Sequence, residues 1–406
     1  MLIKIEVCDS IMGSGKTESA ITQMNEDLDS RYIFVTPYLS EVERIKNGCP
    51  ERNFVDPQDY GRGKYVDFLR LLGEKRCIAT THALFKRCDP EMTQLIHDGH
   101  YKLIFDESFE AVKELSIGES DFNTLQELRL ISIDADGYID WISTDDKNVF
   151  AQKYKDIFTS GRVRRFNNTV FVWTFPIKVF EAFEEVIILT YLFDSQVHKY
   201  YFDIYGIEFE KIGTVVEDGH YRFSTEGKNP EYARLLKYQI HILNNKKINS
   251  IGDKSTALSV AWYQKNRGKD ERISVRQLSK NLANVFGNIY NANSKTALWT
   301  TYKRYMDDVA NGRWKKSYLQ CAARATNEYR DRCHLAYCIN PYLNPFMKRY
   351  FSSYGVEVKE DEYALSEMIQ WVWRSAIRDG NEIWIYIPSS RMRRLFSNWL
   401  DELAKG

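Results

Sequence analysis

Charge imbalance is absent from this sequence: Lys+Arg and Asp+Glu each total 56 among 406 residues. No molecule-wide field therefore draws the chain to nucleic acid or to an anionic membrane, and any polyanion site must be a local patch. No apolar run approaches the roughly 20 residues of a membrane span, so no membrane partner is expected. The seven cysteines contain no C-x-x-C pair, which argues against a zinc site or a dithiol redox motif. Four of them sit in apolar runs, the pattern of reduced, buried thiols. The run Leu2 to Val7 leads straight into a loop and leaves no room for a signal peptide, so a cytoplasmic location is expected. Internal repeats and low-complexity tracts are missing as well. What is present, 44% hydrophobic and 28% charged residues, is the composition of a folded chain, and its length predicts two domains with insertions.

The informative stretch is Ser10-Ile11-Met12-Gly13-Ser14-Gly15-Lys16-Thr17. An apolar strand-like run precedes it, and Ala20, Ile21, Met24 and Leu28 after it share one helical face. Strand, glycine-bearing loop, Lys-Thr and helix form the context of a phosphate-binding P-loop, with Ser10 where the first Gly of the motif usually stands. Loop N–H groups and the positive end of the helix dipole converge on an anion there. Gly13, Ser14, Gly15, Lys16, Thr17 and Glu18 are thus the expected ATP-binding set, with Lys16 on the β- and γ-phosphates and Thr17 on Mg²⁺. About ninety residues on, the strand-like run Tyr101 to Phe105 ends in Asp106-Glu107-Ser108. A carboxylate pair at a strand tip predicts Asp106 in the Mg²⁺ shell and Glu107 as the base that activates water.

Short apolar runs alternate with helical ones through the first half: Tyr32 to Thr36, Cys77 to Thr81, Tyr101 to Phe105 and Val186 to Thr190 read as strands of a parallel sheet. The rhythm lapses over about 110–175, which reads as an insertion. Within it Asp134-Ala135-Asp136-Gly137 predicts a hairpin turn rather than a calcium loop, because the remaining ligands are missing. The first domain is expected over 1–205 and the second over 206–406, with a further insertion over about 206–250. In that second half, Tyr232 to Leu243 and Ser274 to Phe286 read as helices. Ala257 to Trp262, Ala297 to Thr301, Arg332 to Ile339 and Glu382 to Ile387 read as strands. Gln370, Arg374 and Arg378, spaced by four in an expected helix from Glu367 to Ile377, would share nearly one face. Such a guanidinium pair could stabilise charge on a transferring phosphoryl group.

The order Gly13-Ser14-Gly15-Lys16-Thr17, Thr36-Pro37-Tyr38, Thr80-Thr81-His82, Asp106-Glu107-Ser108, Leu189-Thr190-Tyr191 and Gln370…Arg374…Arg378 resembles the DEAD/DEAH-like superfamily 2 helicases. More narrowly it resembles those of tailed bacteriophages, with Ala323 to Arg332 and Ala364 to Met392 similar to that group's motif V and VI regions. The resemblance implies an α/β fold of two RecA-like P-loop lobes with parallel sheets, each carrying insertions. It implies a monomer using ATP and Mg²⁺ and acting on DNA in phage replication or recombination, beside proteins of those processes. It also implies that Thr36, Pro37 and Thr81 meet the nucleic-acid backbone from the first lobe and Thr300, Thr301 and Thr326 from the second. Thr190 would couple ATP to the strand. Local basic runs with aromatics, Arg162-Arg164-Arg165 beside Phe166 and Lys348-Arg349-Tyr350-Phe351 among them, are candidate strand contacts. A GTPase is disfavoured because Asn245-Lys246-Lys247-Ile248 lacks the Asp of Asn-Lys-x-Asp. A regulatory ATPase that switches a protein partner stays open.

Overall fold

The strand-and-helix alternation of the first half builds one large, mostly parallel sheet. The computed structural model describes residues 3–107, 109–135, 137–144, 149–166, 170–227, 229–310, 312–321 and 328–405. The chain divides into two units. The first comprises Met1–Ser10, Gly15–Lys228 and Phe346–Val358; the second comprises Ile11–Ser14, Asn229–Pro345 and Lys359–Gly406.

In the first unit the strands are β1 (Lys4–Asp9), β2 (Arg31–Thr36), β3 (Ile78–Thr81), β4 (Tyr101–Asp106), β5 (Val112–Leu115), β6 (Ile131–Ile133), β7 (Tyr138–Trp141), β8 (Arg162–Phe166), β9 (Val170–Thr174), β10 (Glu185–Thr190), β11 (Glu210–Glu217) and β12 (His220–Ser224). Seven of them form a sheet in the order β12-β11-β1-β10-β4-β2-β3. All neighbours run parallel except the β11–β12 hairpin. Strands such as Tyr32-Ile33-Phe34-Val35 are buried on both faces, as crossover helices on a parallel sheet demand. β5 to β9 form a separate antiparallel sheet in the order β5-β9-β8-β7-β6, the stretch in which the βα rhythm lapsed. Its β6–β7 hairpin closes through the Gly137 N–H on the Asp134 carbonyl at 3.1 Å.

Three local expectations change in this unit. Residues 210–224, assigned by sequence to an insertion of the second domain, extend the first sheet, because β11 finds the open edge of β1 at Val7↔Lys211 and Cys8↔Ile212. The helix after the P-loop, α1 (Lys16–Glu26), buries Ala20 and Met24 but ends before Leu28, which is 60% exposed. The helix Pro345–Ser353 packs from far along the chain, with Phe346 and Tyr350 on Phe166 (5.7 and 5.5 Å between ring centres) and Phe351 on Tyr200.

The second unit holds β13 (Ile240–Ile242), β14 (Ala297–Thr300), β15 (His334–Tyr337) and β16 (Ile383–Tyr386), all parallel, in the order β13-β16-β15-β14. Tyr263, Leu278, Phe286, Trp299, Trp314 and Tyr386 belong to its core. Ala257 to Trp262 is not a strand: Ser259 accepts from the Trp262 N–H at 3.2 Å and caps a helix, Val260–Asn266. The helix expected over Tyr232 to Leu243 stops at Gln239, and Ile240–Ile242 join the sheet. The helix carrying Gln370 runs Glu360–Val372 and ends earlier than expected. The Ala376 N–H is taken by the Arg332 carbonyl at 3.0 Å, Ser375 is extended, and Ala376–Asp379 form a short 3₁₀ turn. Gln370, Arg374 and Arg378 therefore do not make one helical stripe.

Candidate nucleotide site

The first sheet gathers the sequence motifs at the C-terminal ends of three adjacent strands, β1, β10 and β4. This is the ligand edge of a parallel sheet. β10 lies between the other two and ties them together: its Thr190 carbonyl accepts the Ser10 N–H at 3.1 Å, and its Leu189 carbonyl accepts the Glu107 N–H at 2.9 Å. The phosphate-loop candidate and the carboxylate pair thus share one strand end as scaffold.

Gly13 and Gly15 both take left-handed backbone, at φ 81° and 86°, which a residue with a Cβ adopts only at a cost. The Ser14 N–H donates to the Ile11 carbonyl at 3.2 Å, closing the turn. Lys16 and Thr17 open α1, so the Thr17 hydroxyl and the first N–H groups stand at its positive end. The Lys16 ammonium donates to the Ser10 carbonyl. Burial lowers its pKa, while Cys8, Asp106, Asp9 and Glu107 pull the other way. The carboxylate of Glu18, a residue expected in the nucleotide-binding set, pairs with Arg44 at 2.5 Å on the helix Leu39–Gly48.

Asp106 is held from two sides. The Thr36 hydroxyl donates to its Oδ2 at 3.3 Å, and His82 Nε2 lies 2.9 Å from its backbone oxygen. Burial, then the charges of Glu107 and Glu41, pushes its carboxyl up to about 7, against Lys16 and the Thr36 hydrogen bond. A carboxylate so crowded gains from a cation, and a hydroxyl with a carboxylate oxygen is a donor set of the hard kind Mg²⁺ takes. By donor chemistry alone, the Thr17 hydroxyl and the Asp106 carboxylate suit that ion. Glu107 is exposed and takes left-handed backbone at φ 62°, a conformation rare for a non-glycine residue and found where surrounding structure enforces it.

The residues expected to grip a strand fare differently. Thr36 is fully buried and spends its hydroxyl on Asp106, so it offers no surface contact. Pro37 and Thr81 are partly exposed at the same strand ends. Thr300 and Thr301 are buried at the end of β14, with 0% and 1% exposure, and their hydroxyls are closed to a nucleic-acid backbone. Thr326 lies outside the described residues. Thr190 is buried, and Gln196 fixes it: Gln196 Nε2 lies 2.8 Å from the Thr190 hydroxyl and donates to the Tyr191 carbonyl at 2.8 Å. Gln196 carried no motif signal, and His82 stood inside a quoted motif without a role. Gln370 and Arg378 are exposed, and Arg374 is half-buried. Arg374 Nε is a buried donor without a hydrogen-bond partner among the described residues.

No group of three or more His, Cys, Asp or Glu among the described residues could hold a metal on its own, and no described helix is long and apolar enough to cross a membrane. The backbone is similar throughout to solved structures of an XPD helicase (TM-score 0.50, 12% identity, covering 100% of this chain and 95% of that one) and of apo XPD (0.51, 13%, 99% and 95%). It is also similar to S. tokodaii Xpd4 (0.50, 12%, 97% and 94%). At such identities the likeness is one of fold: an α/β architecture with mixed sheets. Residues 234–400 match the family model described as the YonV C-terminal Rossmann-like domain. The SPbeta prophage-derived uncharacterized protein YonV of Bacillus subtilis (strain 168) is 39% identical over 412 residues, which covers 98% of this chain and 99% of that protein. The chain belongs to the YonV family.

Proposed function

We propose that this protein is a Mg²⁺-dependent ATP hydrolase of superfamily 2 helicase type, built on two RecA-like lobes and driven along nucleic acid, DNA rather than RNA. One observation carries the reading: β10 carbonyls clamp Ser10 and Glu107, so the loop before Lys16-Thr17 and the Asp106-Glu107 pair are fixed to the same strand end. This shared anchoring supports the reading, because phosphoryl transfer to water needs a phosphate cradle beside a base and a metal carboxylate. Lys16 and the α1 N-terminus bind the phosphates; Thr17 and Asp106 would hold Mg²⁺, which supplies charge neutralisation on the β- and γ-oxygens when bound. Thr36 and His82 keep Asp106 in place. Glu107 orients water and accepts its proton, and the Arg374 guanidinium, with Arg378 and Gln370, is the candidate for charge that develops on the transferring group. Thr190, held by Gln196, is the candidate relay to the strand, for which Pro37 and Thr81 remain surface contacts. The prophage origin of the 39% identical relative supports a role in phage DNA replication or recombination.

ATP turnover measured side by side with single-stranded DNA, duplex DNA and RNA tests this. Stimulation by single-stranded DNA is expected. Turnover indifferent to every nucleic acid would remove the motor reading and leave an ATPase that switches a protein partner.

A further inference from the structure

The β11–β12 hairpin has no counterpart among the motifs, yet it leans on the phosphate loop. A Cβ at Gly15 would stand 2.1, 2.4 and 2.5 Å from Cδ1, Cε1 and Cγ of Tyr221, so the ring lies directly against the Gly15 backbone. Gly15 thus needs its bare Cα twice over, for its φ of 86° and for this ring. The hairpin is a firm mount. β11 pairs with β1 through Cys8↔Ile212, β12 pairs with β11 through Val216↔Tyr221, and Phe223 packs on the core beneath. Arg222 grips Glu26 with both prongs, at 2.5 and 2.6 Å, locking β12 to the far end of α1. Tyr221 itself keeps 38% of its surface exposed, so it is not there to fill the core.

The strand order gives this ring a direction. β4, with Asp106 and Glu107, lies two places from β1 on one side, and β12 lies two places away on the other. A triphosphate on the α1 N-terminus with its γ end toward the carboxylates must send its nucleoside end the opposite way, toward Tyr221. Resting on the nucleotide site proposed above, we infer that Tyr221 is the platform on which the nucleobase stacks, so that the base is held by its π-face. Stacking on an aromatic ring is indifferent to base edges, and the site should therefore take purine nucleoside triphosphates with little preference between adenine and guanine.

Calorimetric binding of ATP, GTP and inorganic tripolyphosphate to the full chain, as wild type, Tyr221→Ala and Tyr221→Phe, tests the assignment. Tyr221→Ala is expected to weaken ATP and GTP by about tenfold or more, the scale of one base–aromatic stack, and to leave tripolyphosphate unchanged. Tyr221→Phe should bind all three like wild type. Equal weakening of ATP and tripolyphosphate by Tyr221→Ala would make the ring a mere prop for the loop and overturn the inference, as would unchanged ATP binding. A wild-type protein that binds ATP but rejects GTP would overturn the edge-indifferent part. Wild type binding neither ATP nor tripolyphosphate would instead sink the nucleotide site itself.

Discussion

The Thr36 hydroxyl donates to Asp106 Oδ2 at 3.3 Å, linking the ends of β2 and β4, which are direct neighbours in the sheet. This bond favours the charged carboxylate against burial and the nearby acids. It also restricts the rotamers from which Asp106 can offer an oxygen. Thr36→Val keeps the shape and removes the bond. The expected result is a rise of about tenfold or more in the Mg²⁺ concentration giving half-maximal turnover, the usual cost of losing a partner of a metal-binding carboxylate. A magnesium titration of ATP turnover reads it; an unchanged midpoint would leave Thr36 with a packing role alone.

Substitutions at Lys16 and Glu107 test binding and chemistry separately. Lys16→Ala should abolish ATP binding and turnover together, because it removes the cation proposed to meet the phosphates. Glu107→Gln should retain ATP affinity in equilibrium binding while losing turnover, since an amide accepts no proton from water. Normal hydrolysis by Glu107→Gln would assign the base elsewhere.

The backbone at Glu107 gives an independent check without nucleotide. At φ 62° it takes a conformation that costs a side chain about 1–2 kcal/mol and glycine little. Glu107→Gly should therefore be more stable than Glu107→Ala by about 1 kcal/mol in denaturant unfolding, and both are expected to lose turnover. Equal stabilities would mean the left-handed turn relaxes once the carboxylate is gone.

Much of this arrangement was legible because it is local. Tyr32-Ile33-Phe34-Val35 and Val186-Ile187-Ile188-Leu189 are too short for helices and too apolar for a surface, and both are central strands. The phosphate-loop candidate announces itself through glycines whose φ values no other residue adopts cheaply. What escaped was set by distant partners. The stop after Val372 depends on the carbonyl of Arg332, some forty residues earlier in the chain, which no helical periodicity can reveal. Thr300 and Thr301 look like polar surface residues by type, yet both lie buried at the end of β14. The apolar letters of Ala257 to Trp262 read as a strand, but the Ser259 side chain accepts from the Trp262 N–H and starts a helix there. Gln196 and Tyr221 take their places at a strand end and on a hairpin that exist only after the sheet has formed.

Arg374 is tested by turnover. Replacing it with Ala should cut ATP hydrolysis by roughly 10³, the contribution of a guanidinium to phosphoryl transfer, with ATP affinity little changed. Arg374→Lys should recover only part, because an ammonium cannot reproduce the planar fork. Arg378→Ala, changing an exposed residue on the 3₁₀ turn, should cost less. Turnover unaffected by Arg374→Ala would remove it from the site.

His198 gives the fold a sensitivity to acid that has nothing to do with nucleotide. Its ring is fully buried among Phe105, Phe109, Phe180, Phe193 and Phe202, and neither ring nitrogen has a hydrogen-bond partner among the described residues. Burial first, and then His82, lowers its pKa from 6.5 to about 3. The sign follows from which state takes up the proton. As pH falls below about 6.5 the unfolded chain protonates this histidine while the folded chain does not, so stability drops until the folded group titrates near 3. The slope from this one group can reach about 1.4 kcal/mol per pH unit. His198→Phe places another ring in the aromatic cluster and removes the titration. The variant should lose less stability than wild type between pH 6.5 and 4 in denaturant unfolding, and should match or exceed it at pH 8, where two stranded nitrogens have been removed. Parallel pH profiles for the two proteins would show that His198 is not neutral and buried in the folded chain.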